Sequence, residues 1–226
     1  MLDFYADWWG GCIRLDADTF TDSQIIKNAD KYISLKIDVD IPENKILSEE
    51  FNVSSIPQNI FVNANGNEVD RIIGYLPPEE YKIKVLNILN GEGTVSDLKN
   101  KLSNNPNDVE LLYTLGEKLE QMGEYSEAAI NYHNILKINS DTRFSELANF
   151  NLVKIKLIDG NTEPLITYLN ENPDSENLSS GFKLLTRHFR KEENIDMEVK
   201  IYNQWISNFP NDSNVLNSYA WRMSEL

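Results

Sequence analysis

The second half of the chain is interrupted by turn signals at a nearly constant spacing. Clusters of Asn, Asp, Ser and Pro recur at 105–108, 139–141, 172–174 and 209–212. Counted from Pro106 through Ser140 and Pro173 to Pro210, the intervals are 34, 33 and 37 residues. A period near 34 with room for two helices per repeat is typical of a helical solenoid. We therefore predict that this half is all-α and that each repeat packs against its neighbours.

Apolar and small residues between the first two turn clusters lie where a pair of crossing helices needs them. Gly116 and Ala128 are small where the helices would approach closely, and Gly123 permits the turn between them. The bulky residues of the pattern are Leu112, Leu115, Leu119, Tyr125, Tyr132 and Ile135. The pattern resembles the tetratricopeptide repeat, which implies about three helix pairs plus a terminal helix over 214–226. It also implies a concave surface that binds protein or peptide partners.

The first 90 residues alternate short β-branched or aromatic runs with helical stretches. The predicted strands are 2–5, 32–39, 59–62 and 69–73, and the predicted helices are 11–28, 43–51 and 78–89. Asn65-Gly66 is a tight-turn signal that predicts a hairpin of the last two strands. The order βαβαββα predicts an α/β domain in which the early strands pair in parallel. Two glycines and a candidate cap at Thr94 predict domains over 1–92 and 93–226.

Alternating apolar residues of the first half predict the core of its sheet and of the helices that cover it. The predicted core residues are Leu2, Phe4, Ile25, Ile26, Ile33, Leu35, Ile37, Ile60 and Val62.

Charge and composition exclude several classes of function. The chain has 36 acidic and 21 basic residues and a formal net charge of −15, so we expect no nonspecific binding to nucleic acid. No apolar run approaches the roughly 18 residues that cross a bilayer, so we expect no membrane span. One cysteine excludes an internal disulfide. Because the chain has only that cysteine and two histidines, we predict no metal site and no cofactor.

The first strand and the residues after it have a distinctive motif. Residues 3–12 are Asp-Phe-Tyr-Ala-Asp-Trp-Trp-Gly-Gly-Cys, and further motifs follow: Lys36 in the second strand, Ile56-Pro57 before the third and Gly74-Tyr75 after the hairpin. This combination strongly resembles the thioredoxin family, in particular the subgroup of the C-terminal domain of bacterial disulfide-interchange reductases. The resemblance covers about residues 2–90. It implies the thioredoxin fold, a cis-proline at Pro57 and work on protein thiols and disulfides in cell redox homeostasis.

The resemblance implies two cysteines at the start of the first helix, but only the second is present, as Cys12. Trp9 stands at the position of the first cysteine. In thiol-disulfide exchange the first cysteine attacks as a thiolate, and the second releases the mixed disulfide. Because an indole can do neither, we expect dithiol turnover to be absent. Asp3 and Lys36 match the family's buried acid and its neighbouring lysine, so the family-matched catalytic set is Cys12, Asp3 and Lys36.

Three interpretations of this altered site stay open. In the first, Cys12 is a small buried hydrophobe in a redox-inactive relic. In the second, the groove holds extended peptides or thiol proteins without turnover, with the Ile56 backbone as a strand edge. In the third, Cys12 works alone and traps a partner in a mixed disulfide.

Relatives with cysteine at position 9 are expected to be active oxidoreductases. The predicted groove consists of Trp8, Trp9, Gly10, Gly11, Ile56, Pro57 and Gly74.

The candidate binding face of the repeat domain consists of Tyr113, Glu117, Lys183 and Arg187. Glu117 would repel a carboxylate, whereas Lys183 and Arg187 would attract one, so this polarity predicts a partner of mixed charge. An ordinary solvent-exposed helix face is the alternative. Together with the altered groove, the repeats predict a binding or adaptor protein.

The sequence does not specify a compartment, and we expect either the bacterial cytoplasm or the periplasm. Residues 1–20 lack a basic and apolar leader. Many thioredoxins have an extra strand and helix ahead of the Asp3 strand. Whether a leader was lost together with such a unit therefore stays an open question.

Overall fold

The structure, a computed structural model, describes residues 1–138 and 143–225. The chain packs as two compact units, Met1–Ile138 and Asn139–Leu226. The first unit extends past residue 92 because the helices that follow pack with the sheet, and the domain boundary predicted at 92/93 stays a prediction. The turn predicted at 139–141 lies outside the described residues.

A mixed four-stranded sheet organises the first unit. Its strands are β1 (Leu2–Tyr5), β2 (Leu35–Asp38), β3 (Gln58–Val62) and β4 (Glu68–Ile73), in the spatial order β2-β1-β3-β4. β1 pairs in parallel with β2 and antiparallel with β3, and β3 pairs antiparallel with β4. The predicted hairpin and the parallel pairing of the early strands are therefore confirmed. Gly66 in the hairpin turn has a φ of +84°, a conformation that favours glycine.

The prediction of one continuous helix over 11–28 is wrong. This segment instead forms α1 (Gly10–Arg14), a π-helical turn (Leu15–Thr19) and α2 (Ser23–Ala29). The break occurs because the Asp22 carboxylate accepts hydrogen bonds from the amides of Gln24 (2.8 Å) and Ile25 (3.2 Å) and so caps a new helix. Farther along lie a 3₁₀ helix (Pro42–Asn44), α3 (Lys45–Glu50) and α4 (Pro78–Asn90).

Two apolar clusters lie on the two faces of the sheet. Ile60 and Phe61 are neighbours on β3 and so point to opposite faces. Ile60 packs with Phe4 and Ile37 in one cluster. Phe61 packs in the other cluster with Leu15, Ile25, Ile72, Tyr81, Val85 and Ile88. The sheet therefore has a core on each side.

Three predicted core residues are exposed instead: Ile26 by 55%, Ile33 by 80% and Leu35 by 51%. Leu35 lies on β2, an outer strand with a neighbour on one side only, and Ile33 precedes that strand. Ile26 follows the buried Ile25 on α2. Because successive helical residues point about 100° apart, only one of these two side chains faces the sheet.

The first helix pair of the predicted repeats belongs to the first unit. It follows α5 (Val95–Asn104) and consists of α6 (Val109–Gln121) and α7 (Tyr125–Ile138). A Cβ atom added at Gly116 would lie 2.5 Å from the ring of Tyr132, so the predicted close crossing is confirmed. Gly123 makes the turn between the helices with a φ of +84°.

Two polar contacts attach α6 to the sheet domain. The ammonium group of Lys118 lies 2.6 Å from the carboxylate of Asp70 on β4. The side-chain amide of Asn52 donates to the carbonyl of Met122, at 3.1 Å, just after α6 ends. The first repeat is therefore held beside the β4 edge of the sheet.

The described residues of the second unit form helices joined by short turns, and they contain no strand. Its helices are α8 (Arg143–Ile158), α9 (Glu163–Glu171), α10 (Leu178–Lys191), α11 (Ile195–Asn208) and α12 (Ser213–Glu225). Their apolar faces form one cluster that includes Leu165, Leu185 and Trp205. The order and spacing of these helices are consistent with a tetratricopeptide-like solenoid.

Within the described ranges, no helix is long and apolar enough to cross a membrane. The same residues contain no group of three or more His, Cys, Asp or Glu side chains arranged to hold a metal ion.

Candidate functional site

The turn that follows β1 forms the base of the candidate site. Trp9 is the N-cap residue of α1 and has an extended backbone, with φ −85° and ψ 121°. Its carbonyl accepts hydrogen bonds from the amides of Cys12 (2.9 Å) and Ile13 (3.0 Å). Helical turns then continue from Gly10 to Thr19. Trp9 therefore lies at the end of the helix where the backbone dipoles place partial positive charge.

Trp9 and Pro57 lie on either side of Gly11, although 48 positions separate them in the sequence. A Cβ atom added at Gly11 would lie 3.1 Å from the indole nitrogen of Trp9 and 3.2 Å from Cδ of Pro57. The peptide bond between Ile56 and Pro57 is cis. The amide of Gly74, which has a φ of +79°, donates to the Pro57 carbonyl at 2.8 Å. The predicted groove residues are thus brought together around Pro57.

Two exposed indoles border this groove. The side chain of Trp8 is 65% exposed and that of Trp9 is 46% exposed. Their rings contact edge to face, with centroids 5.9 Å apart. The indole nitrogen of Trp8 donates to the carboxylate of Asp40 at 2.6 Å, which fixes the orientation of that ring. The pair presents apolar surface beside Pro57.

Cys12 faces the interior behind these indoles. It is only 3% exposed, and burial raises the pKa of its thiol above the ordinary value. A hydrogen bond between the thiol and the Ala6 backbone lowers this pKa, but by less than burial raises it. The negative charges of Asp3 and Asp16 raise it further. Burial and these charges therefore favour the protonated thiol, which is less nucleophilic than the thiolate.

Asp3 is a buried acid at the centre of the sheet. It is 2% exposed, and its carboxylate accepts a hydrogen bond from the side-chain amide of Asn59 at 2.7 Å. Burial raises the pKa of Asp3 to about 6, against the opposing effects of the Lys36 charge and the Asn59 hydrogen bond. This carboxyl can therefore exchange a proton near neutral pH.

Lys36 pairs with Asp3 in the strand register, but its ammonium group has another partner. It lies 2.6 Å from the carboxylate of Asp16 and 4.4 Å from the centre of the Tyr5 ring. Partial burial lowers the pKa of Lys36, but the Asp16 hydrogen bond and nearby negative charges outweigh it and raise the pKa. Among the described residues no ion pair joins Lys36 directly to Asp3.

Three polar residues of the site were not identified from the sequence: Asp16, Asp40 and Asn59. No sequence motif assigns a role in this site to any of the three. Asn59 lies opposite Asp3 because β1 and β3 pair antiparallel in that register. Since two polar residues 56 positions apart give no local pattern, only strand pairing could have revealed this contact.

The four predicted residues of the repeat face are divided between the two compact units, with two in each. In the first unit, the Tyr113 hydroxyl donates to the carboxylate of Glu117 at 3.0 Å on α6. In the second unit, Lys183 and Arg187 lie one turn apart on α10 and are exposed. The binding role of all four residues stays a prediction.

We expect the Cys12 thiol to be protected from labelling in the folded protein. Because it is buried and protonated, its reaction with iodoacetamide should be roughly 100-fold slower than in urea, where the chain is open. A Cys12→Ser variant with an added Ser96→Cys, on the exposed face of α5, provides the accessible control. Equal rates for Cys12 and the control cysteine would contradict the burial.

The N-terminal part of the chain is similar to known proteins. Residues 1–88 match the family model described as a thioredoxin-like domain. The chain is 33% identical over 85 residues to the thiol:disulfide interchange protein DsbD of Haemophilus influenzae, which covers 36% of this chain and 15% of that protein. It is 37% identical over 87 residues to DsbD of Campylobacter jejuni, which covers 38% of this chain and 15% of that protein.

A plant protein shows comparable similarity. The chain is 32% identical over 95 residues to the chloroplastic thioredoxin-like protein HCF164 of Oryza sativa, which covers 42% of this chain and 36% of that protein. The chain therefore spans about a seventh of the DsbD proteins and about a third of HCF164.

Proposed function

We propose that the thioredoxin-like domain of residues 1–88, which is homologous to DsbD and HCF164, binds polypeptides without exchanging disulfides. We propose in addition that the helical region docks other proteins, so that the chain serves as an adaptor. The observation that supports the first proposal most strongly is the pair of residues at α1. Trp9 occupies the N-cap, where the family resemblance places the attacking cysteine, and Cys12 is buried three residues later.

A single cysteine cannot complete the reduction of a substrate disulfide. A thiolate first attacks one sulfur to form a mixed disulfide, and the other sulfur leaves as a thiolate. A second thiol must then displace the substrate, which leaves a new disulfide in the enzyme. Cys12 is the only cysteine in the sequence, so this second step has no internal thiol. The burial and raised pKa of Cys12 also disfavour the first step, and with it the capture of a partner by this thiol alone.

The groove keeps features suited to binding an extended chain. The exposed rings of Trp8 and Trp9 offer apolar surface to a neighbouring polypeptide. The Ile56 side chain packs towards Phe4 and Ile60, whereas no described residue forms a hydrogen bond with the Ile56 backbone. A bound peptide could pair with that backbone as an added strand.

One experiment tests binding and turnover on the same purified chain. The probe for binding is a capped, fluorescent peptide without acidic residues, whose single cysteine is blocked with iodoacetamide. We expect it to bind, to bind at least fivefold more weakly to Trp8→Ala, and to bind unchanged to Ile33→Ala. Ile33 is the control because its large apolar side chain is also exposed, by 80%, and belongs to neither proposed groove. The same protein should not reduce insulin disulfides with dithiothreitol as electron donor.

Two results would contradict the proposal. Insulin reduction at the rate of a dithiol thioredoxin would show that turnover does not need a cysteine at position 9. Equal weakening of peptide binding by Trp8→Ala and Ile33→Ala would show that the groove is not where the peptide binds.

A further inference from the structure

The second compact unit contains a groove lined by basic and aromatic side chains. It has a volume of about 310 Å³ and lies among α10, α11 and α12. Tyr202 and Trp205 of α11 lie in its floor, with ring centroids 6.1 Å apart and planes 20° from parallel. α10 and α12 supply its two sides. We call it the basic groove.

Four cations line the basic groove. Lys183, Arg187 and Arg190 lie on one face of α10 at spacings of four and three residues, and Arg222 faces them from α12. The described part of this unit, residues 143–225, has 12 acidic and 9 basic residues, and 4 of those 9 bases lie here. In a chain of net charge −15, this concentration of positive charge is local.

A buried acid holds two of the arginines in place. Glu198 is fully buried, and its carboxylate accepts hydrogen bonds from Nε of Arg190 (2.9 Å) and from Nε and Nη2 of Arg222 (2.9 Å each). Burial alone raises the pKa of Glu198, but these hydrogen bonds outweigh it and hold the pKa below its ordinary value. The carboxylate therefore stays ionised and fixes guanidinium groups from two different helices at the groove.

Positive charge remains unpaired after these contacts. Nη2 of Arg190 donates to the Tyr202 hydroxyl at 3.2 Å. Nη1 of Arg190 has no hydrogen-bond partner in the described part of the chain. Lys183 and Arg187 are exposed, and neither forms an ion pair with another described residue. Among the described residues, the four cations at the groove thus outnumber the two carboxylates, Glu198 and Glu225, that contact them.

The rim of the groove also suits a polypeptide. Trp221 on α12 is 66% exposed at its edge, and Asn217 and Ser218 add neutral hydrogen-bonding groups. An aromatic ring beside cations can pack against the aliphatic part of a bound chain. Glu225 is the one acid among the described residues that line the groove, and its carboxylate forms an ion pair with Nη1 of Arg222 at 3.3 Å.

We propose that the basic groove binds an acidic segment of a partner protein, with aspartate or glutamate carboxylates on Lys183, Arg187 and Arg190. A short peptide with a few carboxylates matches the local charge and the volume of the groove. A nucleic acid would extend over the surrounding acidic surface, which repels it. This proposal specifies the partner chemistry for the docking role proposed above and does not depend on Cys12.

The test uses the full chain and a synthetic ten-residue fluorescent peptide with four glutamates. A second peptide with glutamine at those positions measures binding that does not need charge. We expect the glutamate peptide to bind and the glutamine peptide to bind at least tenfold more weakly. The Lys183→Glu/Arg187→Glu variant should bind the glutamate peptide at least tenfold more weakly than the wild-type chain does. Because these two side chains form no described ion pair, the variant is expected to fold, which circular dichroism checks.

A matched control removes the effect of overall charge. The Lys156→Glu/Lys200→Glu variant changes two exposed lysines outside the groove and alters the net charge by the same amount. It should bind the glutamate peptide nearly as well as the wild-type chain does. Trp8→Ala, which tests the thioredoxin-like groove, should also bind this peptide normally, so the two proposals can fail separately.

Several results would overturn the proposal. They are the absence of binding at about 1 mM peptide, equal binding of the two peptides, and equal losses in the two double variants. Stronger binding of a single-stranded oligonucleotide at this groove would identify a nucleic acid as the occupant. A dimer of the chain that is lost only in Lys183→Glu/Arg187→Glu would identify a second copy instead.

Discussion

Replacing Trp9 with cysteine is expected to give the chain a disulfide reductase activity, which we propose is absent from the wild-type protein. The new thiol would stand at the N-cap of α1, where the helix dipole lowers a thiol pKa and favours the attacking thiolate. Cys12, three residues later, would then supply the second thiol. The buried Asp3, with a pKa of about 6, can accept the proton that Cys12 must lose. The turbidity of insulin in the presence of dithiothreitol measures the rate of disulfide reduction. We expect no detectable catalysed rate for the wild-type chain and continuous turnover for Trp9→Cys.

Two variants separate this mechanism from the mere presence of a thiol. Trp8→Cys places a more exposed cysteine one residue earlier, outside the N-cap, and should stay inactive. Trp9→Cys/Cys12→Ser should form a trapped mixed disulfide with a substrate but should not turn over. If Trp9→Cys folds normally and reduces nothing, then Asp3, Cys12 and Pro57 do not form a working site around it.

Replacing Asp3 with asparagine is expected to stabilise the protein at neutral pH. The pKa of Asp3 is about 6 in the fold and about 3.8 in the unfolded chain, so the native state binds the proton more tightly. Stability due to this group is full below pH 4 and is lost as the pH rises through 6. At pH 7–8 the buried charge costs roughly 1–3 kcal/mol, since each unit of pKa is worth about 1.4 kcal/mol. Asp3→Asn removes that cost and keeps an acceptor for Asn59.

Urea unfolding at several pH values measures this difference. Asp3→Asn should be more stable than the wild-type chain at pH 7–8, and the gap should close near pH 4. Asp30→Asn, at an exposed position of the same domain, is the matched control and should leave stability nearly unchanged at every pH. A constant difference between Asp3→Asn and the wild-type chain from pH 4 to pH 8 would contradict the argument, because it would not follow titration.

Local patterns predicted most of the architecture. The turn at Gly66, the alternation of strands and helices, and the close crossing at Gly116 depend on residues near each other in sequence or on a repeated period. The regular turn clusters likewise predicted the helix pairs of the second unit. Where such patterns failed, they had missed a capping side chain or the edge position of a strand. The helix over 11–28 breaks because of one Asp22 cap, and Leu35 is exposed because β2 is an outer strand.

The candidate sites were only partly predictable. The motif around Trp9 and Cys12 located the groove, and Lys183 and Arg187 were identified as a possible binding face. The partners of those residues were not predicted, because they come from other elements. Asp16 takes the ammonium group of Lys36. Likewise, Glu198 had no recognisable signal, since a buried acid on α11 becomes informative only when Arg222, 24 residues later, is folded onto it.

By itself the sequence determined that the chain has one thiol, an indole three residues before it, and a periodic helical half. These properties are covalent or local, and no packing can change them. The tertiary structure decided that the thiol is buried, that Trp9 and Pro57 flank the same glycine, and that four cations share one groove. Such properties depend on contacts between residues far apart in the chain, which exist only after the strands and helices have packed.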